Sequence, residues 1–194
     1  AIGDVNNDGL DDFYIGGAKN QASALFIQKD NGKFIYMLQP QFTMDKNHED
    51  IAADFFDADG DGDLDLYVVS GGNEEQEQDA YYKDRFYKNI GKGIFERVPD
   101  AIPENYMSGS CVTAADFDND GDLDLFVGGK MIPGKYPLPS NSLLLKNESQ
   151  NGKIKFIDVT KDMAQFMFDM GMSSDAEWVD IDNDNDLDLL IVGE

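Results

Sequence analysis

Short apolar runs, rich in β-branched and aromatic residues and ending in glycine, recur four times along the chain. They occupy residues 13–17, 66–72, 125–129 and 189–193. Runs of this length and composition are typical of buried β-strands rather than of amphipathic helices. The pattern therefore predicts an all-β chain in which one buried strand recurs at wide intervals.

Two further strand patterns complete each repeat. An apolar strand, a polar turn with glycine and a strand carrying phenylalanine predict β-hairpins at residues 25–34, 86–95 and 143–156. Strand-like runs also lie upstream of the later buried strands, at residues 51–56, 110–115 and 176–179. One unit thus contains four antiparallel strands in about 60 residues, which is typical of a β-propeller blade.

An acidic nonapeptide precedes each recurring apolar run. The four blocks follow the pattern D-x-[DN]-x-D-[GN]-x-x-D, and their first residues lie 53, 59 and 64 residues apart, at Asp4, Asp57, Asp116 and Asp180. They contain 19 of the 39 acidic residues, so a chain without them would have a formal charge of −5 instead of −24. The charge is therefore a property of the repeated blocks.

The spacing within the blocks indicates a cation site made of oxygen atoms. Like charges this close together repel, and calcium accepts six to eight oxygen ligands from a tight loop of this kind. Position 6 is glycine in three blocks (Gly9, Gly62 and Gly121) and asparagine in the fourth (Asn185). These residue types adopt a positive φ most readily, as a tight turn around an ion requires. With one cysteine and one histidine, thiolate and imidazole metal sites are nearly excluded.

An EF-hand or dockerin-like calcium module is an alternative interpretation. An EF-hand places a bidentate glutamate at position 12 and continues into a helix. Here position 12 is Ile15, Val68, Val127 or Ile191, inside a predicted strand. The EF-hand interpretation is therefore the less favoured one.

The signature D-x-D-x-D-G-x-L-D-L, followed by an Asn-x-Gly hairpin, resembles the FG-GAP/VCBS repeats. These form the calcium-loop blades of integrin α-chain propellers and of bacterial surface proteins, and the resemblance covers essentially all 194 residues. It implies an all-β fold of four-stranded antiparallel blades of a β-propeller, with calcium loops between the first and second strands. It also implies up to four Ca²⁺ ions.

In this family the ligands are the side chains at positions 1, 3, 5 and 9 and the carbonyl of position 7. The first two blocks would use Asp4, Asn6, Asp8, Leu10 and Asp12, and Asp57, Asp59, Asp61, Asp63 and Asp65. The last two would use Asp116, Asp118, Asp120, Asp122 and Asp124, and Asp180, Asp182, Asp184, Asp186 and Asp188. The neutral amide of Asn6 should weaken the first site, and the second and third blocks match the pattern best.

The repeat predicts blade units at residues 1–48, 49–107 and 108–172 and a partial unit at 173–194. Propellers close with about four to eight blades, whereas this chain supplies about three and a third. We therefore expect an incomplete propeller whose first unit lacks the strand before its acidic block. Its open edges would pair with the rest of its own propeller or with a second copy.

The function expected from these features is calcium-stabilised recognition or adhesion, at the cell surface or in a secreted or periplasmic protein. Binding of a protein or carbohydrate ligand is expected at the loops opposite the acidic blocks, around residues 18–21, 73–84 and 130–140. Tyr81, Tyr82 and Tyr136 are candidate contacts, or merely pack these loops. The negative charge argues against nucleic acid, and no apolar run is long enough for membrane insertion.

Catalysis is not expected, because no nucleophile–base pair stands out; the alternative is a non-catalytic part of a larger secreted polysaccharide lyase or phospholipase. His48 is predicted in a surface loop. Cys111 and Trp178 are predicted in the core, and Met167, Met170 and Met172 are predicted to fill gaps in the packing.

Overall fold

The computed structural model describes residues 1–194, except for the side chain of Asp169. Across this described part, the secondary structure consists of fourteen strands, two short α-helices and two 3₁₀ segments. The strands form three four-stranded antiparallel sheets and one two-stranded sheet, each ordered as in the sequence. The prediction of an all-β chain built from antiparallel four-stranded units is confirmed.

The strands of each sheet are consecutive in the sequence. Sheet 1 contains β1 (Ile2–Gly3), β2 (Asp12–Ile15), β3 (Ala24–Gln28) and β4 (Phe34–Met37). Sheet 2 contains β5 (Asp50–Phe56), β6 (Asp65–Ser70), β7 (Arg85–Asn89) and β8 (Phe95–Arg97). Sheet 3 contains β9 (Ser108–Ala115), β10 (Asp124–Met131), β11 (Leu143–Asn147) and β12 (Phe156–Asp158), and sheet 4 contains β13 (Ser173–Val179) and β14 (Asp188–Gly193). Helices α1 (Pro40–Met44) and α2 (Thr160–Met163) follow sheets 1 and 3, and the 3₁₀ segments are Ala80–Tyr82 and Gln165–Asp169.

The three predicted hairpins are confirmed, and they share one register. The last residue of the third strand pairs with the first residue of the fourth strand in every complete sheet. These pairs are Gln28 with Phe34, Asn89 with Phe95, and Asn147 with Phe156. Residues at the same place in this register can therefore be compared between sheets.

The expectation that the first unit lacks its first strand is wrong. Strand β1 is short, but Ile2 pairs with Phe13 and Gly3 pairs with Asp12. Gly3 also lies against the second acidic block, where an added Cβ would be 2.7 Å from the side chain of Leu64. Sheet 1 thus has four strands, and the described residues form three complete sheets and half of a fourth.

The central residues of strands β6 and β10 are apolar and buried because each of these sheets packs between two others. Leu66 and Val68 point into the core between sheets 1 and 2, whereas Tyr67 and Val69 point into the core between sheets 2 and 3. Strand β10 divides its side chains in the same way between the cores on its two sides. Burial on both faces explains why these strands lack alternation in the sequence.

The fourth apolar run forms a strand as predicted, but the prediction that it is buried is wrong. Leu189 and Ile191 of β14 pack against the core between sheets 3 and 4. Leu190 and Val192 point the other way and are 51% and 58% exposed. The difference arises because no sheet among the described residues covers this face.

The predicted positions of the single cysteine, tryptophan and histidine and of three methionines can be compared with the structure. Cys111 and Met167 are buried in the core between sheets 3 and 4, and Trp178 packs against it and stacks on Phe117. Met170 also packs against this core and Met172 is half-buried. The prediction of a surface position for His48 is wrong, because its ring is buried and its Nδ1 lies 3.1 Å from the carbonyl oxygen of Tyr81.

Candidate metal centres

The four acidic blocks form the turns between the first and second strands of the four sheets. We refer to residues 4–12, 57–65, 116–124 and 180–188 as acidic loops 1 to 4. Each loop connects two antiparallel strands, so all four lie at the same end of their sheets as the hairpins between the third and fourth strands. The fold therefore repeats one local geometry four times.

The aspartate at position 1 organises each loop by accepting hydrogen bonds from backbone N–H groups. In loop 2, Asp57 accepts from Gly60 at 2.9 Å, from Asp61 at 3.2 Å and from Gly62 at 2.8 Å. Asp180 accepts the same three bonds, and Asp4 and Asp116 accept those from positions 5 and 6. These bonds close the turn and fix the backbone before any ion is bound.

The backbone conformation explains the residue at position 6. Gly9, Gly62 and Gly121 have φ angles of 86°, 88° and 95°, and Asn185 has a φ of 73°. The prediction of a positive φ at this position is confirmed. Position 4 also has a positive φ, which explains why it is Asn7, Gly60, Asn119 or Asn183; the sequence analysis did not single out this position.

The aspartate at position 9 is fully buried in loops 1 to 3. Asp65 accepts hydrogen bonds from Ala58 N at 3.2 Å and from Asn89 N at 2.8 Å. Asp124 accepts equivalent bonds from Phe117 N and Asn147 N. Burial raises the pKa of Asp65 to about 7 and that of Asp124 to about 6. A cation beside these carboxylates would favour their ionised form.

Carboxylates from three predicted positions converge in loops 2, 3 and 4. One oxygen from each of three aspartates lies within 4.8 Å of the other two in each group. The groups are Asp57, Asp59 and Asp61; Asp116, Asp118 and Asp124; and Asp180, Asp182 and Asp188. In loop 1, the amide of Asn6 instead donates a hydrogen bond to Asp12 Oδ2 at 3.3 Å.

Two oxygens in these loops are suited to a cation because they have no other partner. Asp59 Oδ1 and Asp118 Oδ1, both at position 3, are buried, and no described residue donates a hydrogen bond to either. The side chain of Asp59 is only 1% exposed. A buried carboxylate oxygen without a donor is costly, whereas a hard divalent cation would satisfy it. The residues present therefore fit calcium.

The sequence model of a family described as FG-GAP-like repeat matches residues 4–68 and 69–127. The chain belongs to this family. The matched residues include acidic loops 1 to 3, and loop 4 outside them repeats the hydrogen bonds of its position-1 aspartate. A search of curated proteins finds no match.

In sheets 2 and 3 of this FG-GAP-like chain, one asparagine joins the third strand to two acidic loops. Asn147 Nδ2 donates to Ala58 O of loop 2 at 2.9 Å and to Leu123 O of its own loop 3 at 3.1 Å. Asn89 Nδ2 makes the corresponding bonds to Val5 O and Leu64 O. The sequence analysis noted this asparagine only as part of a hairpin signature, because a cross-sheet contact cannot be read from local spacing.

Two lysines that the sequence analysis missed contact the FG-GAP-like loops. Lys88 of β7 contacts Asp59 and Asp61, and Lys146 of β11 contacts Asp118 and Asp120. Partial burial opposes the charge on Lys88, yet its hydrogen bonds to the two aspartates raise its pKa above the ordinary value. Hydrogen bonds to Asp118 and Asp120 likewise raise the pKa of Lys146.

The loops between the second and third strands lie at the opposite end of the sheets and contact one another. Lys19 pairs with Glu75, and Lys135 pairs with Glu77 at 2.5 Å. Gly134 N also donates to Asn73 Oδ1 at 2.6 Å. Three loops separated in the sequence thus form one connected surface.

The candidate tyrosines of this surface have different environments. Tyr82 is 1% exposed, and its hydroxyl accepts from Glu75 N and donates to Glu75 O, so of the two alternatives stated for it above, packing of the loop is the one the structure shows. Tyr81 and Tyr136 are 37% and 65% exposed. Nearby, a cavity of about 300 Å³ is lined by Tyr106, Met107, Ile132, Pro133, Pro139 and Leu143, among others.

No helix among the described residues combines the length and the apolar character needed to cross a membrane.

Proposed function

We propose that this chain is a calcium-binding segment of a β-propeller in an extracellular or cell-surface protein. Its calcium ions are structural, and it recognises a protein or carbohydrate at the opposite face. The observation that carries the calcium proposal is the convergence of three carboxylates in loops 2, 3 and 4. The buried, partnerless oxygens of Asp59 and Asp118 support it.

Calcium suits these loops better than other biological metals do. Every predicted ligand is an oxygen atom, from a carboxylate, an amide or a backbone carbonyl, and hard cations prefer oxygen. The mixed geometry of a flexible nine-residue loop favours calcium over magnesium, because magnesium requires near-ideal octahedral coordination. Bound calcium would neutralise the repulsion between the carboxylates and connect the first two strands of each sheet.

The packing of the sheets supports a propeller. Consecutive sheets pack face to face through three separate apolar cores. Their first strands, β1, β5, β9 and β13, lie next to one another in that order. Radial packing of successive sheets around their first strands is the arrangement of a propeller. We propose residues 1–48, 49–107 and 108–172 as blades and residues 173–194 as part of a further one.

Ligand recognition is proposed at the surface formed by the loops between the second and third strands. This surface carries the cavity described above, and Tyr136 is exposed in the segment that contributes Ile132, Pro133 and Pro139 to the cavity lining. Apolar concavities with a few polar groups at their rim are typical binding sites. Calcium at the other end would act by keeping the sheets in register and not by touching the ligand.

A structural role is proposed in place of a catalytic one. The single histidine, His48, is buried and its Nδ1 bonds a backbone carbonyl. The single cysteine, Cys111, is also buried, and burial raises its pKa, which disfavours the reactive thiolate. Both side chains thus serve the packing of the sheets.

Thermal melting with and without calcium tests the proposal. Ions that bind only the folded state stabilise it by mass action. At about 10 mM calcium, sites with dissociation constants of about 10⁻⁴ to 10⁻³ M should together raise the melting temperature by about 10 °C or more over that in chelator. Magnesium at the same concentration serves as the control. Identical melting curves in calcium and in chelator would refute a structural role for the ion.

A further inference from the structure

The equivalent register of the third strands identifies a position beside each acidic loop. Gln28, Asn89 and Asn147 donate their backbone N–H to the position-9 aspartate of loops 1, 2 and 3, each at 2.8 Å. The residue immediately before this donor is Ile27, Lys88 or Lys146. Two of the three complete sheets therefore place a lysine where the first sheet has a buried isoleucine.

Both lysines contact the same two positions of their loops. The Nζ of Lys88 contacts Asp59 Oδ2 and lies 3.1 Å from Asp61 Oδ2. The Nζ of Lys146 contacts Asp118 Oδ2 and lies 3.0 Å from Asp120 Oδ2. The lysine side chains are 23% and 24% exposed, so each extends along the sheet with its ammonium directed into the loop.

The two carboxylate oxygens of the position-3 aspartate have different partners. The lysine occupies Oδ2 of Asp59 and of Asp118, whereas Oδ1 of each is buried and receives no hydrogen bond from a described residue. At position 5, Oδ1 of Asp61 and of Asp120 accepts a backbone N–H inside the loop. The oxygen of position 5 that remains for an ion is therefore the one that the ammonium contacts.

We propose that Lys88 and Lys146 are built-in counter-ions that compete with calcium in loops 2 and 3. This inference rests on the proposed calcium function. It gives the two lysines a role in setting how strongly each loop depends on calcium. Without calcium, the ammonium neutralises part of the carboxylate repulsion and lets the loop keep its shape. With calcium, the ion must displace the ammonium from position 5 or bind beside its positive charge. Loop 1, with Ile27, has no such competitor at this position.

The competition predicts that neutralising the lysine strengthens calcium binding. A unit charge touching two ligand carboxylates opposes a divalent ion by enough to change its affinity about tenfold or more. The same substitution removes the counter-charge from the metal-free loop, so the melting temperature in chelator should fall. A residue that merely positioned the carboxylates would give the opposite change in affinity.

The test uses isothermal titration of the chelator-treated chain with calcium chloride, together with melting in chelator. Lys88→Met, Lys146→Met and the double variant keep most of the aliphatic stem and lose the charge. Each substitution should raise the affinity of one site about tenfold or more and lower the metal-free melting temperature. Lys88→Arg keeps the charge and should stay close to the original chain. Lys161→Met, at an exposed position of α2, removes the same charge far from the loops and should change neither quantity.

The outcomes separate this inference from the proposed function. If the unsubstituted chain binds calcium and the methionine variants bind it with unchanged or weaker affinity, the counter-ion role is overturned while the calcium function stands. If neither the unsubstituted chain nor the double variant takes up calcium, both are overturned. If only the double variant binds calcium measurably, the competition is stronger than expected and the inference is supported.

Discussion

The aspartates at position 9 close the same nine-residue pattern in every loop but do not have the same environment. Asp12, Asp65 and Asp124 are fully buried, and each accepts an N–H from the neighbouring third strand. Asp188 is exposed and accepts one only from Ile181 of its own loop. The burial of this aspartate is therefore created by the hairpin of its sheet and not by the nine-residue motif.

Substitutions at neighbouring aspartates of loop 3 test the proposed ligand positions. Asp120→Ala should lower the calcium affinity of one site at least about tenfold, because it removes a charged ligand and the acceptor of the Asp122 N–H. Asp122→Ala is the matched control. Asp122 is proposed to bind the ion through its backbone carbonyl, which the substitution keeps, and its side chain is exposed. Calcium titration of both variants gives the comparison. Equal losses would show that the assignment within the loop is wrong.

The buried His48 gives a prediction about pH. Burial lowers its pKa to about 4, against about 6.5 in an unfolded chain, so the unfolded state binds a proton first as the pH falls. Its stabilising contribution is therefore complete above about pH 6.5 and is lost between about pH 6.5 and 4. His48→Asn cannot titrate but can keep a donor near the carbonyl of Tyr81.

The difference in free energy of unfolding between the original chain and His48→Asn should fall by about 1–2 kcal/mol from pH 7.5 to pH 4.5, allowing for partial screening by solvent. Urea denaturation at the two pH values measures it. A difference that does not vary with pH would mean that His48 is not held neutral in the folded chain.

At the scale of the elements, the hairpin asparagines connect one sheet to the next. Asn147 donates to carbonyls of loops 2 and 3, and its Oδ1 accepts from Ser149 N, so every polar atom of its side chain is used. Asn89 repeats the arrangement one sheet earlier, with Gly91 as the donor to its Oδ1. These asparagines therefore join acidic loops 1, 2 and 3 to one another even without an ion.

Asn147→Ala should lower the free energy of unfolding by about 2–3 kcal/mol, because it leaves buried carbonyls of Ala58 and Leu123 without donors. In a chain of this size the melting temperature should fall by about 5–10 °C. Gln165→Ala, which removes an exposed amide, is the control and should change it little. Equal melting temperatures for the two variants would show that the cross-sheet bonds contribute nothing.

Most strands could be predicted from the sequence because two local signals agree, namely the apolar run and the glycine turn. Strand β1 could not, since its two residues pair with β2 through backbone atoms and carry no pattern. The loops were predictable because all the proposed ligands of each loop lie within nine residues. The roles of Lys88 and Lys146 could not be predicted, because each lysine lies about 28 residues after the aspartate that it contacts. The two residues meet only because the third strand of the sheet pairs with the strand that follows the loop.

At the scale of the whole molecule, a buried ion pair within sheet 2 is hydrogen-bonded to the sheet 1 region. Asp50 accepts hydrogen bonds from Tyr14 and Gly17 of the sheet 1 region, each at 2.8 Å, and pairs with Arg85 Nη2 at 2.5 Å. The side chains of Arg85 and Asp50 are 1% and 5% exposed. Such a pair is expensive to break because one charge is left buried without a partner.

Arg85→Met should therefore lower the free energy of unfolding by about 3–5 kcal/mol. The double variant Arg85→Met with Asp50→Asn removes both charges and should recover part of this loss. Denaturation of the original chain, the single variants Arg85→Met and Asp50→Asn and the double variant gives the coupling between the two residues. A double variant less stable than the sum of the two single effects would contradict the ion-pair account.

The formal charge of −24 is concentrated in four loops at one end of the sheets, and four bound calcium ions would reduce it to −16. The central claim is that these loops bind calcium. Equilibrium dialysis of the chelator-treated chain against calcium at millimolar concentration measures it most directly. The account predicts saturable uptake approaching four ions per chain. Uptake of less than one ion per chain would contradict it.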